Sequence, residues 1–127
     1  MSAVANPHRG QVPLVAGGVT YTLSMSINAM CALEAHIDRP IGRIVMDIDE
    51  AGRSLATLRM TLVRSLLWGA LQDHHPDIGI AGAGEILTLS GIPAAMQAVT
   101  EAVRLSLPLL TAKEEGAPSR PPEKATG

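Results

Sequence analysis

Residues 54–73 read SLATLRMTLVRSLLWGALQD and contain the clearest periodic pattern in this sequence of 127 residues. The apolar residues of the pattern recur every three or four positions and are Leu55, Leu58, Leu62, Val63, Leu66, Leu67 and Ala70. This spacing places apolar side chains on one face of an α-helix. It predicts a long helix from just after Ser54 to about Asp73. The helix is expected to end at His74-His75-Pro76, because proline cannot continue it.

Two further helices are predicted on the N-terminal side of this segment. The first starts at Ser26 or Asn28, both of which are good N-cap residues, and ends before Pro40. Its apolar face consists of Met30, Leu33 and Ile37. A short helix follows over residues 41–47, with Ile44 and Val45 directed inward, and the polar segment 47–53 is predicted to be a loop.

The C-terminal side predicts a short helix and a longer one. Four glycines in residues 77–91 restrict helix formation there to a short stretch near 83–89. The last helix spans roughly residues 93–107, with Pro93 in its first turn, and ends at Pro108. Its predicted inward face consists of Ile92, Met96, Val99 and Val103.

Residues 11–23 predict a β-hairpin, because two apolar, alternating runs flank Gly17-Gly18, which suits a tight turn. The expected fold class is α+β, mostly α, with an N-terminal β-hairpin packed on a small bundle of four to five helices. The expected domain organisation is a flexible N-terminus over 1–10, a single globular helical domain over 11–110 and a disordered tail over 111–127.

Composition argues against several classes of protein. Apolar residues make up 46% of the chain, yet aromatic residues make up only 2%, and the formal net charge is −2. A nucleic-acid-binding protein would need a basic surface, so no nucleic-acid partner is expected. The longest uncharged run, 10–33, is broken by proline and glycine, so we expect no membrane partner. Residues 1–10 lack an apolar stretch, so we expect no secretory signal and predict a cytoplasmic protein.

Cys31 is predicted to be a small core residue.

Residues capable of catalysis are sparse. His74 and His75, flanked by Asp73 and Asp77, could mark either a helix end or a metal or acid–base site, and the spacing favours the helix end because adjacent histidines on a helix diverge by about 100°. The glycine-rich stretch 79–84 lacks the Gly-Lys-Ser/Thr ending of a phosphate-binding loop. We therefore expect a protein that is not an enzyme and that holds neither a metal nor another cofactor.

Four apolar residues outside the predicted inward faces are candidates for binding a partner, and they are Trp68, Leu105, Leu109 and Leu110. Trp68 falls on a polar stripe of the long helix, where either another part of the chain or a partner must cover it. The three leucines present the same two alternatives. Arg59, a charge within the leucine face, is expected either to extend its charged end to solvent near the helix start or to pair with Asp47, Asp49 or Glu50.

The order of four short motifs resembles the tail assembly chaperones of tailed phages and gene transfer agents, a family whose members are sometimes labelled tail tube proteins. The motifs are NPHRG (6–10), VTYTL (19–23), NAMCALE (28–34) and LLWGAL (66–71). The resemblance extends over residues 6–107. The glycine-rich stretch 79–84 departs from the more polar helix start expected of the family.

The resemblance implies a chaperone in the cytosol of a bacterial host that binds the tape-measure protein and keeps it soluble during tail assembly, without a cofactor. Tail tube subunits are a further candidate partner, and a homo-oligomer is compatible with this role. The alternative is a structural component of the tail, a tube or connector protein that is retained in the particle. A tube subunit would need many strands to pair with its neighbours, whereas this sequence predicts one hairpin, so the chaperone is favoured.

Overall fold

A computed structural model describes the backbone of residue 6 and residues 9–116, and the side chains of these residues except Leu55 and 109–116. The elements follow in the order β1 (Val12–Ala16), β2 (Val19–Leu23), α1 (Ile27–Ile37), α2 (Ile41–Arg53), a 3-10 turn (Leu55–Thr57), α3 (Met60–Leu71), α4 (Ile80–Ser90) and α5 (Ile92–Gly116). The predicted fold class is confirmed: an N-terminal β-hairpin is followed by a small bundle of helices.

The hairpin forms where the sequence predicts it. β1 and β2 are antiparallel, and Ala16 lies opposite Val19 on either side of the two-residue turn. Gly17 and Gly18 both have positive φ angles, 58° and 79°, as the tight turn of a hairpin requires. Alternate residues of β1 are buried, so one face of the ribbon packs on the helices.

The core surrounds α3, which packs against α1, α4, α5 and β2. Its buried apolar residues are Val63, Leu66, Leu67, Ala70 and Leu71. The predicted leucine face of this segment is therefore confirmed for the residues that belong to α3. Gly69 lets α1 approach closely, because a methyl group at this position would lie 2.9 Å from Cδ1 of Leu33.

Helix α1 confirms the predicted bounds and N-cap. The Ser26 hydroxyl accepts a hydrogen bond from the Ala29 N–H at 3.1 Å, and the helix ends at Ile37, before Pro40. Cys31 is exposed, so its prediction as a core residue was wrong. The buried face of α1 passes through Met30 and Leu33, and Cys31 points away from it.

The boundary between α2 and α3 differs from the prediction. Residues 47–53 are helical and belong to α2, because Ile44, Ile48 and Ala51 recur at helical spacing and are buried. The helix that was predicted to start after Ser54 begins instead at Met60, after the 3-10 turn. Arg59 has extended backbone angles, φ −113° and ψ 126°, and separates the turn from α3.

The last two helices are both longer than predicted. Helix α4 begins at Ile80, and it is stabilised by burial of Ala83, Ile86 and Leu87 despite its glycines. Helix α5 continues through Pro108 to Gly116, so the predicted end at Pro108 was wrong, and residues 111–116 of the predicted tail belong to this helix. Proline removes one backbone donor but does not always end a helix. The rest of the predicted tail, 117–127, and residues 1–5 and 7–8 of the predicted flexible N-terminus lie outside the described residues.

The inward face of α5 also differs in part from the prediction. Val99 and Val103 are buried as expected, but Ile92 is 38% exposed. Among the described side chains of the helix, 92–108, the remaining buried apolar positions are alanines, namely Ala95, Ala98 and Ala102. Such small side chains let α5 lie close to the hairpin and to α3, both of which it contacts.

No single helix in the described part of the chain is long and apolar enough to span a membrane, although α4 and the segment Ile92–Pro108 of α5, bent by 116°, meet the length and composition requirement as a pair.

Two glycine-to-alanine substitutions test the close packing of α1 on α3. Gly69→Ala is expected to lower the free energy of unfolding by about 1–2 kcal/mol, because the added methyl group overpacks the core against Leu33. The matched control, Gly52→Ala in α2, adds a methyl group with nothing within 4 Å. It should raise stability by about 0.5–1 kcal/mol through helix propensity. Urea unfolding of both variants measures the difference, and equal effects would contradict the packing.

Candidate functional site

Trp68, the first predicted partner-binding residue, lies on α3 and is partly buried against the core. Its ring centroid is 4.9 Å from that of His36 on α1, and the two rings are tilted by 40°. Helix α1 therefore covers part of the indole, as one of the two alternatives from sequence requires. The rest of the Trp68 surface remains accessible at the α1–α3 junction.

The other predicted residues all belong to α5. Leu105 is partly buried and packs against the core. Leu109 and Leu110 lie within the helical backbone, but their side chains are outside the described part of the structure. Trp68 and Leu105 lie on different helices, α3 and α5. The assignment of these four residues to partner binding stays a prediction.

Sequence analysis did not identify a second apolar surface, which lies at the tip of the hairpin. Leu89, near the end of α4, is 62% exposed, and a methyl group at Gly17 would lie 3.1 Å from its Cδ1. Val19, just beyond the turn, is 49% exposed, and Ile92 follows Leu89 across Gly91. We call Val19, Leu89 and Ile92 the tip patch. No local pattern could predict this patch, because Val19 and Leu89 are 70 positions apart in the chain.

The end of α3 is joined to β2 by polar contacts. The N–H of Thr22 donates to Nε2 of His75 at 3.0 Å, and the Ser24 hydroxyl donates to Asp73 Oδ2 at 2.6 Å. The N–H of Ser24 also donates to the carbonyl of Ala70 at 2.9 Å. These bonds satisfy donors at the edge of β2 and orient the hairpin on α3.

His75 is neutral in this arrangement, because its Nε2 must keep a lone pair to accept the Thr22 N–H. Its ring also lies edge-on to Tyr21, with centroids 5.2 Å apart. Desolvation by burial lowers the pKa of His75, and the neighbouring His74 lowers it further. The predicted helix end is confirmed, since α3 ends at Leu71 and the N–H of His75 donates to the Leu71 carbonyl at 2.7 Å.

Across residues 6 and 9–116, no three His, Cys, Asp or Glu side chains are grouped as a metal site would require.

A polar cleft of about 420 Å³ lies between the end of α1, helix α2 and the start of α3. Its lining residues are His36, Ile37, Arg39, Asp47, Glu50, Thr57, Arg59, Thr61, Leu62 and Ser65. Asp47 forms an ion pair with Arg39, and Asp49 forms one with Arg53 at 2.9 Å. Among the described residues no ion pair joins Arg59 to Asp47, Asp49 or Glu50, so the predicted pairing was wrong. The residue was placed inside a helix, whereas it precedes α3 in extended conformation.

Comparison with known proteins adds no relative: no protein-family model matches the chain, and neither a curated protein nor a solved structure is significantly similar to it.

The bond between His75 and Thr22 predicts a pH-dependent contribution to stability. A pKa lowered in the folded state means that the unfolded chain binds more protons, so this contribution is complete above about pH 6.5 and declines as the pH falls toward the lowered pKa. We expect His75→Gln to lower stability by about 1 kcal/mol at pH 8 through the altered hydrogen bond, and by less at pH 5.

Urea unfolding of the wild type and the variant at both pH values measures this difference. His74→Gln is the companion variant: His74 is exposed and its side chain forms no described hydrogen bond, so the change leaves the Thr22 bond in place and removes only the neighbouring charge that lowers the pKa of His75. A gap between wild type and His75→Gln that is the same at both pH values would contradict the neutral, accepting state of His75.

Proposed function

We propose that this chain is a tail assembly chaperone, which binds the tape-measure protein and keeps it soluble until tail tube subunits replace it. The observation that carries the proposal is the tip patch, which contributes three of the eight exposed large apolar side chains of the described residues. The motif resemblance over residues 6–107 supplies the class of partner. The fold class supports it as well, since a helical module with one short hairpin is what that resemblance implies.

The chemistry that this role requires is reversible burial of apolar surface. Full burial of one leucine or isoleucine side chain contributes about 1.5–3 kcal/mol, and part of that is offset by ordering the groups involved. Val19, Leu89 and Ile92 together thus suit a contact that holds an apolar segment and later releases it. Trp68, Leu105, Leu109 and Leu110 are further candidate contacts, and Trp68 can supply a large anchor.

The alternative, a tube or connector protein retained in the particle, makes a different demand on the fold. Tube subunits join through sheets that pair between neighbours, and each needs long strand edges for this. Over the described residues the sheet consists of two strands of five residues each. Helix α3 contacts β2, and His75, just beyond α3, accepts a hydrogen bond from the Thr22 N–H of that strand. This arrangement favours the chaperone over the tube subunit.

Co-purification with the tape-measure protein tests the proposal. The two proteins are co-expressed, and the amount of soluble tape-measure protein retained with the tagged chain is measured. Leu89→Ser is expected to reduce it about tenfold, since losing one apolar contact of about 1.4 kcal/mol changes a binding constant by that factor. The matched control is Met46→Ser on α2, which changes a side chain of similar exposure, 60% against 62%.

Equal retention by wild type and both variants would exclude the tip patch as the binding surface. Absence of any association, together with the presence of the chain in purified tail particles, would replace the chaperone with the structural alternative. Thermal unfolding of each variant confirms that the substitutions act on binding and leave the fold intact.

Trp68→Ala is expected to weaken the same association without unfolding the protein. The ring is partly buried and contacts His36, so a moderate loss of stability, about 1–2 kcal/mol, accompanies its removal. The change is followed by co-purification and by the midpoint of thermal unfolding. A loss of several kcal/mol with undiminished partner binding would identify Trp68 as a core residue alone.

A further inference from the structure

The polar cleft between α1, α2 and α3 plays no part in the proposed chaperone role, and its walls contain groups with unmet bonding capacity. Its volume, about 420 Å³, is within the range of small-molecule sites, which is roughly 300–1,000 Å³. Both apolar and polar side chains line it, with hydroxyl groups and charges of both signs among them.

Ser65 is the most informative of these residues. It is 7% exposed, and its hydroxyl has no hydrogen-bond partner among the described residues. The two other buried serines are both satisfied: Ser24 donates to Asp73, and Ser106 donates to the Val103 carbonyl at 2.7 Å. A buried hydroxyl that lines a cleft without a partner is suited to bind a ligand there.

The start of α3 opens on the same cleft. Thr61 and Leu62, in its first turn, line the cleft, and no side chain caps this end of the helix. Free N–H groups and the positive end of the helix dipole both favour an anionic group at such a position. The adjacent Arg59 also lines the cleft, and its guanidinium forms no ion pair within the described part of the chain.

The charges of the wall determine which anion fits. The lining contains two arginines, Arg39 and Arg59, and two carboxylates, Asp47 and Glu50. Arg39 and Asp47 neutralise each other, which leaves Arg59 and Glu50 without an ion pair in the described structure. A dianion such as phosphate would be repelled by Glu50, whereas a ligand with one carboxylate and one ammonium group matches both free charges.

We propose that this cleft binds a small zwitterion of the amino-acid class. Its carboxylate interacts with Arg59, the Ser65 hydroxyl and the first turn of α3, and its ammonium group interacts with Glu50. The inference rests on the cleft alone and is independent of the tip patch and of the tape-measure protein.

Titration of the full, ¹⁵N-labelled chain with a series of ω-amino acids tests the proposal. β-Alanine, γ-aminobutyrate and ε-aminocaproate separate the two charges by increasing distances, and acetate and inorganic phosphate are the comparison ligands. At least one amino acid should shift the amide resonances of Thr61, Leu62 and Ser65 to saturation, with a dissociation constant of about 1 mM or below. Acetate and phosphate should bind at least about tenfold more weakly.

Three variants assign the binding to the cleft. Arg59→Gln and Ser65→Ala should each raise the dissociation constant about fivefold or more, and Ser65→Ala should leave the thermal midpoint unchanged or higher because it removes an unpartnered hydroxyl. The matched control is Arg43→Gln on α2, since Arg43 is exposed and does not line the cleft.

Three results would overturn the proposal. The first is no saturable shift up to about 50 mM of any amino acid, a concentration far above that of a specific small-ligand site. The second is binding that Arg59→Gln and Ser65→Ala leave unchanged. The third is phosphate binding tighter than that of every amino acid in the series, which would make the cleft a simple anion site.

Discussion

The close approach of α1 to α3 at Gly69 is the contact on which the arrangement of the other helices depends. Leu33 and Leu66 are fully buried, and α3 also packs against α4, α5 and β2. Because interiors are close-packed, an added methyl group at position 69 would have to displace Leu33, whose Cδ1 would lie 2.9 Å away. The absence of a side chain at Gly69 thus lets α1 lie near α3, where His36 partly covers Trp68.

Polar contacts at the end of α3 supply what apolar packing does not, a fixed orientation for the hairpin. His75, Asp73 and the Ala70 carbonyl each accept a hydrogen bond from β2 or from Ser24 just beyond it. A two-stranded ribbon is marginally stable by itself, so these bonds and the burial of its inner face maintain it. The same anchoring holds the turn at Gly17 against Leu89 and so forms the tip patch.

Local signals in the sequence were sufficient for the hairpin and for α1, because Gly17-Gly18, Ser26 and Pro40 act on neighbouring backbone. They were insufficient between residues 47 and 60, where Gly52 lies inside α2, no proline marks the break and Leu58 continues the leucine pattern. At Pro108 the local signal predicted a helix end, whereas α5 continues through this residue. The tip patch and the cleft arise from residues distant in sequence, and periodicity within one helix cannot bring such residues together.

Hydrogen–deuterium exchange of the full chain, with and without the tape-measure protein, is the measurement that tests the chaperone proposal most directly. The proposal predicts slower exchange at the hairpin turn around Gly17 and Gly18 and in the segment around Leu89 and Ile92 when the partner is bound. Unchanged exchange in both segments, in a complex that forms, would contradict the tip patch as the surface of binding, and failure of any complex to form would contradict the chaperone role itself.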